Sequence, residues 1–149
     1  MNIIKSFIEK RRLKKELKEV LHYLNKIPAI NNGGCGVSAL TIHTWLKSKG
    51  KESELAFVYT DSDEFETNIN NKMNSLILDV PNHVVVRYDK SFIDSCGEYY
   101  IGIYNRRCLY ASEEDLRKTL KLGTDWNQNF DREHINTIEK KFDMSLNIN

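Results

Sequence analysis

The chain of 149 residues predicts an α+β fold, with helices packed on a small antiparallel sheet. Three observations carry that reading. Residues 2–25 and 35–49 repeat apolar side chains at helical spacing. Residues 82–104 form the strongest β-rich run of the chain, broken by turn residues. Residues 113–143 return to helical spacing. At this length, with no linker and no internal repeat, the chain makes one domain over residues 1–149 around one core.

The first element, residues 2–25, places Ile4, Phe7, Ile8, Leu13, Leu17, Val20, Leu21 and Leu24 three and four residues apart. This is the pattern of an amphipathic helix. Its basic cluster, Lys10, Arg11, Arg12, Lys14 and Lys15, alternates with Glu9, Glu16 and Glu19 and reads as a solvated face. A short connection follows over residues 27–32. The next helix begins at Cys35 and carries Val37, Leu40, Ile42, Trp45 and Leu46, with Gly50 as its terminating glycine.

ELAFVYT (54–60) is β-branched and aromatic and reads as a strand. The acidic, Asn-rich residues 61–74 allow two readings. One is a mobile loop over a cleft, with Asp61, Asp63, Glu64 and Glu66 turned to a partner. The other is a helix packed through Phe65, Ile69 and Met73. A three-strand meander is expected over residues 82–104: HVVVRY, a turn at Asp89-Lys90, SFID, and EYYIGIY after Gly97. Ser112 and Asp115 have capping-box spacing at the start of a helix that Gly123 ends, and a last helix is expected over about 131–143.

Composition excludes several classes. Twenty-two basic against 21 acidic residues leave a net charge of +1, so no overall field draws the chain to nucleic acid or anionic lipid. The N-terminal segment mixes charges with its apolar residues and is neither a signal peptide nor a membrane span. Three cysteines in scattered contexts form neither a disulfide framework nor a zinc site, which fits a reducing, cytoplasmic compartment.

The chemistry centres on Cys35 in the run NNGGCGVSAL. A thiol in the first turn of a helix meets unpaired N–H groups and the positive end of the macrodipole, both of which favour thiolate. Flanking glycines leave space for an incoming carbonyl carbon. Such a nucleophile needs a base, and the base needs a third group to orient it. His22, His43, His83 and His134 are available. His43 shares the Cys35 helix, but at a rise of ~1.5 Å per residue it sits ~12 Å along the axis. His83 opens the strongest strand, where a helix packed on the sheet can present its N-terminus. Asp94 follows across the Asp89-Lys90 turn, opposite or diagonal to His83, with Asp79, Asp89 and Asn82 as substitutes. The Cys35 amide with the side chain of Asn31 or Asn32 would hold an oxyanion. Cys96 and Cys108 are expected to be structural, although Cys96 is close enough in sequence to Asp94 to line the same cleft, and Trp45, Trp126 and the tyrosines at 99, 100 and 104 are expected to line the core or cleft.

A nucleophilic Cys opening the central helix, followed by His and then Asp on neighbouring strands, resembles the papain-like and transglutaminase-core superfamily of cysteine enzymes. The resemblance rests on Cys35 in GGCGVSAL, His83 in HVVVRY and Asp94 in FIDSCG, and covers residues 31–97. It implies a papain-like fold and a Cys35-His83-Asp94 triad that cleaves or transfers an acyl group at an amide, isopeptide or thioester bond. The partner is then a protein or peptide substrate, without nucleic acid or membrane, and neither metal nor organic cofactor is needed. The local run C-G-[SA]-C-[WY] of papain is absent. A rival reading is a papain-like scaffold that binds a partner without chemistry, an inhibitor or adaptor of phage or bacterial origin.

Overall fold

The computed structural model describes residues 2–30, 33–100, 107–122 and 132–148. Among these, five helices pack on one five-stranded antiparallel sheet, an α+β architecture. The helices are α1 (Ile3–Asn25), α2 (Cys35–Ser48), α3 (Ser62–Met73), α4 (Glu113–Leu122) and α5 (Arg132–Phe142). The strands are β1 (Glu54–Val58), β2 (His83–Tyr88), β3 (Ser91–Asp94), β4 (Gly97–Tyr100) and β5 (Cys108–Ala111), in spatial order β4-β3-β2-β1-β5.

Helix starts follow local side-chain chemistry. Asn2 caps α1 by accepting from the Ile4 N–H at 3.0 Å. Asp61 caps α3 by accepting from the N–H groups of Asp63 and Glu64, both at 2.9 Å. Ser112 and Asp115 form a reciprocal capping box at the start of α4, each bond 3.0 Å. Helix α2 stops where expected, at Gly50 with φ +71°, a backbone region that suits glycine. Residues 61–74, which the sequence left between loop and helix, are helical in α3, and Phe65 of the expected face packs against the core while Ile69 is half-buried. Met73 is 77% exposed, and the fully buried residue is Asn68, whose side chain accepts from the Asp79 N–H at 2.8 Å and donates to Glu64 O. A buried amide with its bonds made joins Phe65 as an anchor in place of Met73.

Helix α2 is central. It touches β1, β2, β3, α1, α4 and α5, and its first two turns are buried on every side. Leu40, Ile42 and Leu46 pack with Leu55, Phe57, Val84, Val86 and Ile93 from one sheet face. Truncating such a side chain to Ala costs about 2–5 kcal/mol. The other face carries Ala56, Val58, Val85 and Phe92.

Three expectations need correction. The apolar repeat of residues 2–25 is not one stripe: Leu17, Val20, Leu21 and Leu24 enter the core, whereas Ile4, Phe7 and Ile8 are exposed. Strand β5 had no counterpart in the sequence reading; its short run CLYA is chosen by pairing with β1, Ala56 facing Tyr110 and Phe57 facing Leu109. The first strand stops at Val58, two residues short of the 54–60 run, and the Tyr59 N–H turns to Arg107 O. Asn31, Asn32, Tyr104, Gly123 and Trp126 lie outside the described residues, so the expected oxyanion side chains are among those with no description.

Candidate active site

The approach to Cys35 is built by backbone conformation. Ala29 and Gly33 have positive φ (61° and 101°), and the Gly34 N–H donates to Ala29 O at 3.1 Å. Gly34 is the N-cap of α2 and has no side chain to offer. Ser38 is the first residue whose N–H closes a helical bond, onto Gly34 O at 2.9 Å. Among the described residues, therefore, no side chain caps the N–H groups of the preceding turn, Cys35 included, at the positive end of the helix dipole. Packing seals this turn: Gly33, Gly34, Cys35 and Gly36 are all buried, Cys35 being 5% exposed.

His83 is the first residue of β2, a central strand flanked by β1 and β3. A two-residue turn at Asp89-Lys90, with Asp89 at φ +55°, sets the β2–β3 register as Tyr88 opposite Ser91, Arg87 opposite Phe92 and Val86 opposite Ile93. One further step puts Asp94 across from Val85, so Asp94 is diagonal to His83 and on the same face. His83 Nε2 lies 2.9 Å from Asp94 Oδ2. The second carboxylate oxygen is also held: Asp94 Oδ1 accepts from the Cys96 N–H at 2.8 Å, inside the tight β3–β4 turn that Gly97 closes at φ +139°. Asp94 is buried, so its position is fixed by the turn and by the ring.

The side chain of Cys35 is a second hydrogen-bond partner of the imidazole, and the charged ring donates to its sulfur. With Nε2 committed to Asp94, the remaining ring nitrogen, Nδ1, is the one left for sulfur. Burial on its own would lower the His83 pKa, but Asp94 and Cys35 outweigh it and raise it from 6.5 to about 9. The ring is thus predominantly an imidazolium at neutral pH, flanked by a carboxylate on one side and a sulfur on the other.

The sequence-level substitutes for Asp94 are engaged elsewhere. Asp89 is at the far end of β2. Asp79 is tied to Asn68 of α3, and Asn82 Oδ1 accepts from the Thr60 N–H at 2.8 Å. His22 is exposed on α1, and His134 is half-buried on α5. His43 faces away from the thiol: Nδ1 is 2.7 Å from Ser53 Oγ and Nε2 is 3.1 Å from Glu113 Oε1. Burial lowers its pKa more than Glu113 raises it. It clamps α2 to the segment before β1 and to α4, beside a cavity of about 590 Å³ lined also by Lys47, Lys51 and Arg87.

Sequence reasoning missed two positions. Cys96, expected to be structural or to line the cleft beside Asp94, supplies through its backbone the N–H that fixes Asp94, and its Sγ approaches Asn25 Oδ1 at 3.8 Å. The signal was present in the run Asp-Ser-Cys-Gly, a two-residue turn whose leading carboxylate reaches back to the backbone two residues on. Asn25 at the end of α1 carried no comparable signal. Cys108 is half-buried, and burial pushes its thiol up to about 11. Among the described residues, no group of three or more His, Cys, Asp or Glu side chains could hold a metal ion. No described helix is long and apolar enough to cross a membrane.

Comparisons with known proteins give no bearing beyond this geometry: no family model, no curated protein and no solved structure matches the chain.

Proposed function

We propose that this protein is a cysteine-dependent hydrolase or acyltransferase acting on an amide, isopeptide or thioester bond of a protein or peptide substrate. The observation that carries the reading is the bonded series Asp94, His83, Cys35, with Cys35 as the first residue of a buried helix. The layout is that of papain-like and transglutaminase-core enzymes, and it supports a papain-like assignment of the fold. All three cysteines are free, in keeping with a reducing, cytoplasmic setting.

At the moment of attack the thiol proton of Cys35 passes to His83, and Asp94 stabilises the imidazolium. Cys35 Sγ attacks the carbonyl carbon, the carbonyl π electrons move to oxygen, and the Cys35 N–H donates to the oxyanion. The tetrahedral species collapses as His83 passes its proton to the leaving nitrogen or sulfur, leaving a thioester on Cys35. Water, or an acceptor amine, then loses a proton to His83 and attacks that thioester. Thiolate departs, and the acid or the new amide is released.

A second reading has its own observation. Cys35 is only 5% exposed, so its sulfur lies sealed beneath the surface. That favours a binding scaffold in which the three residues only brace the fold. One experiment separates the two. Incubation with p-nitrophenyl acetate followed by peptide mass analysis is expected to show a single acetyl group on Cys35, removed on standing in wild type, and absent in Cys35→Ala and His83→Ala. A folded wild-type protein that acquires no acetyl group on Cys35, or acquires it equally in His83→Ala, refutes the enzyme reading.

A further inference from the structure

We propose that the N-terminal half of α1 docks this protein onto an anionic membrane surface. The burial pattern of the helix changes along its length. Leu17, Val20, Leu21 and Leu24 of the second half are buried in the core, whereas every residue from 2 to 12 is exposed. Within that free half, Ile3, Ile4, Phe7 and Ile8 are 85, 67, 59 and 59% exposed. At about 100° per residue they cluster about a third of a turn away from the core stripe. Folding therefore leaves this apolar group unpartnered.

What continues the group along the helix identifies its occupant. Arg11, Lys14, Lys15 and Lys18 follow Phe7 at four, seven, eight and eleven residues, which keeps them on the same face. None of the four makes an ion pair among the described residues, and the Arg11 guanidinium lies over the Phe7 ring at 5.6 Å. The acidic side chains lie elsewhere: Glu9 is on the opposite side, Glu19 borders the face, and Glu16 is already engaged by Arg12 and Lys49. The outward face thus has an apolar tip and a basic continuation. The net charge of +1, which argued against anionic partners, conceals this local separation.

An anionic bilayer meets both parts at once. The apolar tip enters the headgroup boundary, and long basic stems let the charges reach lipid phosphates. A second copy of the chain would bring basic faces together, and nucleic acid would leave the apolar tip in water. A partner groove takes anchors at i, i+3 or i+4, and i+7, whereas this tip fans out at i, i+1, i+4 and i+5 and ends after two turns. That breadth suits a soft, flat surface. The inference is independent of the enzyme reading.

Flotation with phosphatidylcholine vesicles, with and without phosphatidylglycerol, tests it. Wild type and Cys35→Ala should both float with the anionic vesicles at low salt, stay behind with phosphatidylcholine alone, and be released by high salt. Ile4→Ser with Phe7→Ser, and separately Lys14→Ser with Lys15→Ser and Lys18→Ser, should each weaken binding about tenfold or more. Circular dichroism and thermal unfolding should be unchanged in both variants, because the replaced side chains are exposed. The proposal is overturned if wild type ignores anionic vesicles, if it binds both vesicle types equally, or if the variants bind like wild type. It is equally overturned if sedimentation shows a lipid-free dimer that Phe7→Ser dissolves.

Discussion

Replacing Asp94 with Asn tests the core of the site without requiring a substrate. The substitution keeps the side-chain shape and an oxygen to accept from His83 Nε2, but removes the charge. In the native protein burial opposes the imidazolium, yet Asp94 and Cys35 lift the ring from 6.5 to about 9. At ~1.4 kcal/mol per pH unit, that rise is a preference of about 3 kcal/mol for the charged ring. Without the carboxylate, burial works against Cys35 alone, and the midpoint should fall towards 6.5 or below. Because the folded value is the raised one, the contribution to stability is complete below pH 6.5 and fades as pH climbs through about 9. The loss on Asp94→Asn should therefore be largest below pH 6.5 and nearly absent above the native midpoint. A proton NMR titration of the His83 ring in both proteins, with urea unfolding across the same pH range, reads both effects. A native His83 midpoint near 6.5, or one that Asp94→Asn leaves unmoved, refutes the reasoning.

Four further outcomes follow from the same geometry. Acyl transfer should decline on an alkaline limb near pH 9 as His83 loses its proton, and a pH–rate profile of Asp94→Asn should show that limb displaced to lower pH. Iodoacetamide at neutral pH should label Cys35 in a manner that depends on His83, while Cys108, held up to about 11 by burial, stays unlabelled; equal labelling of Cys35 in His83→Ala contradicts the pairing. His43 has the opposite sign: its lowered value means stability present above pH 6.5 and lost on acidification, so His43→Gln should flatten the acid side of a stability profile. Ser38 Oγ is buried with no hydrogen-bond partner among the described residues, so Ser38→Ala should raise stability by about 1 kcal/mol in chemical unfolding; a loss of that size disproves it.

What the sequence disclosed was local. The α2 start at Cys35, its glycine stop, the capping box at Ser112 and the Asp89-Lys90 turn each depend on residues within a few positions of one another. The meeting of His83 and Asp94 was readable because one two-residue turn separates them, and the turn fixes the register once its length is known. Other features depend on distant partners. His43 finds Glu113 only because α4 folds against α2, and CLYA becomes a strand only because β1 offers an open edge. Asn68 looked like one more Asn in a polar stretch until Asp79 supplied its bond. The division of α1 into a buried and a free half was equally hidden, since apolar spacing does not reveal where the neighbouring body of the protein ends.

The separation of Cys35 from the β2–β3 hairpin has a consequence during synthesis. Cys35 leaves the ribosome well before His83 and Asp94 exist as a pair, and the Cys96 N–H that pins the carboxylate arrives last. A nascent or unfolded chain therefore carries an ordinary thiol with no base beside it. Under the proposed chemistry, reactivity is switched on by completion of the sheet, so an unfinished chain is harmless to its neighbours and to itself.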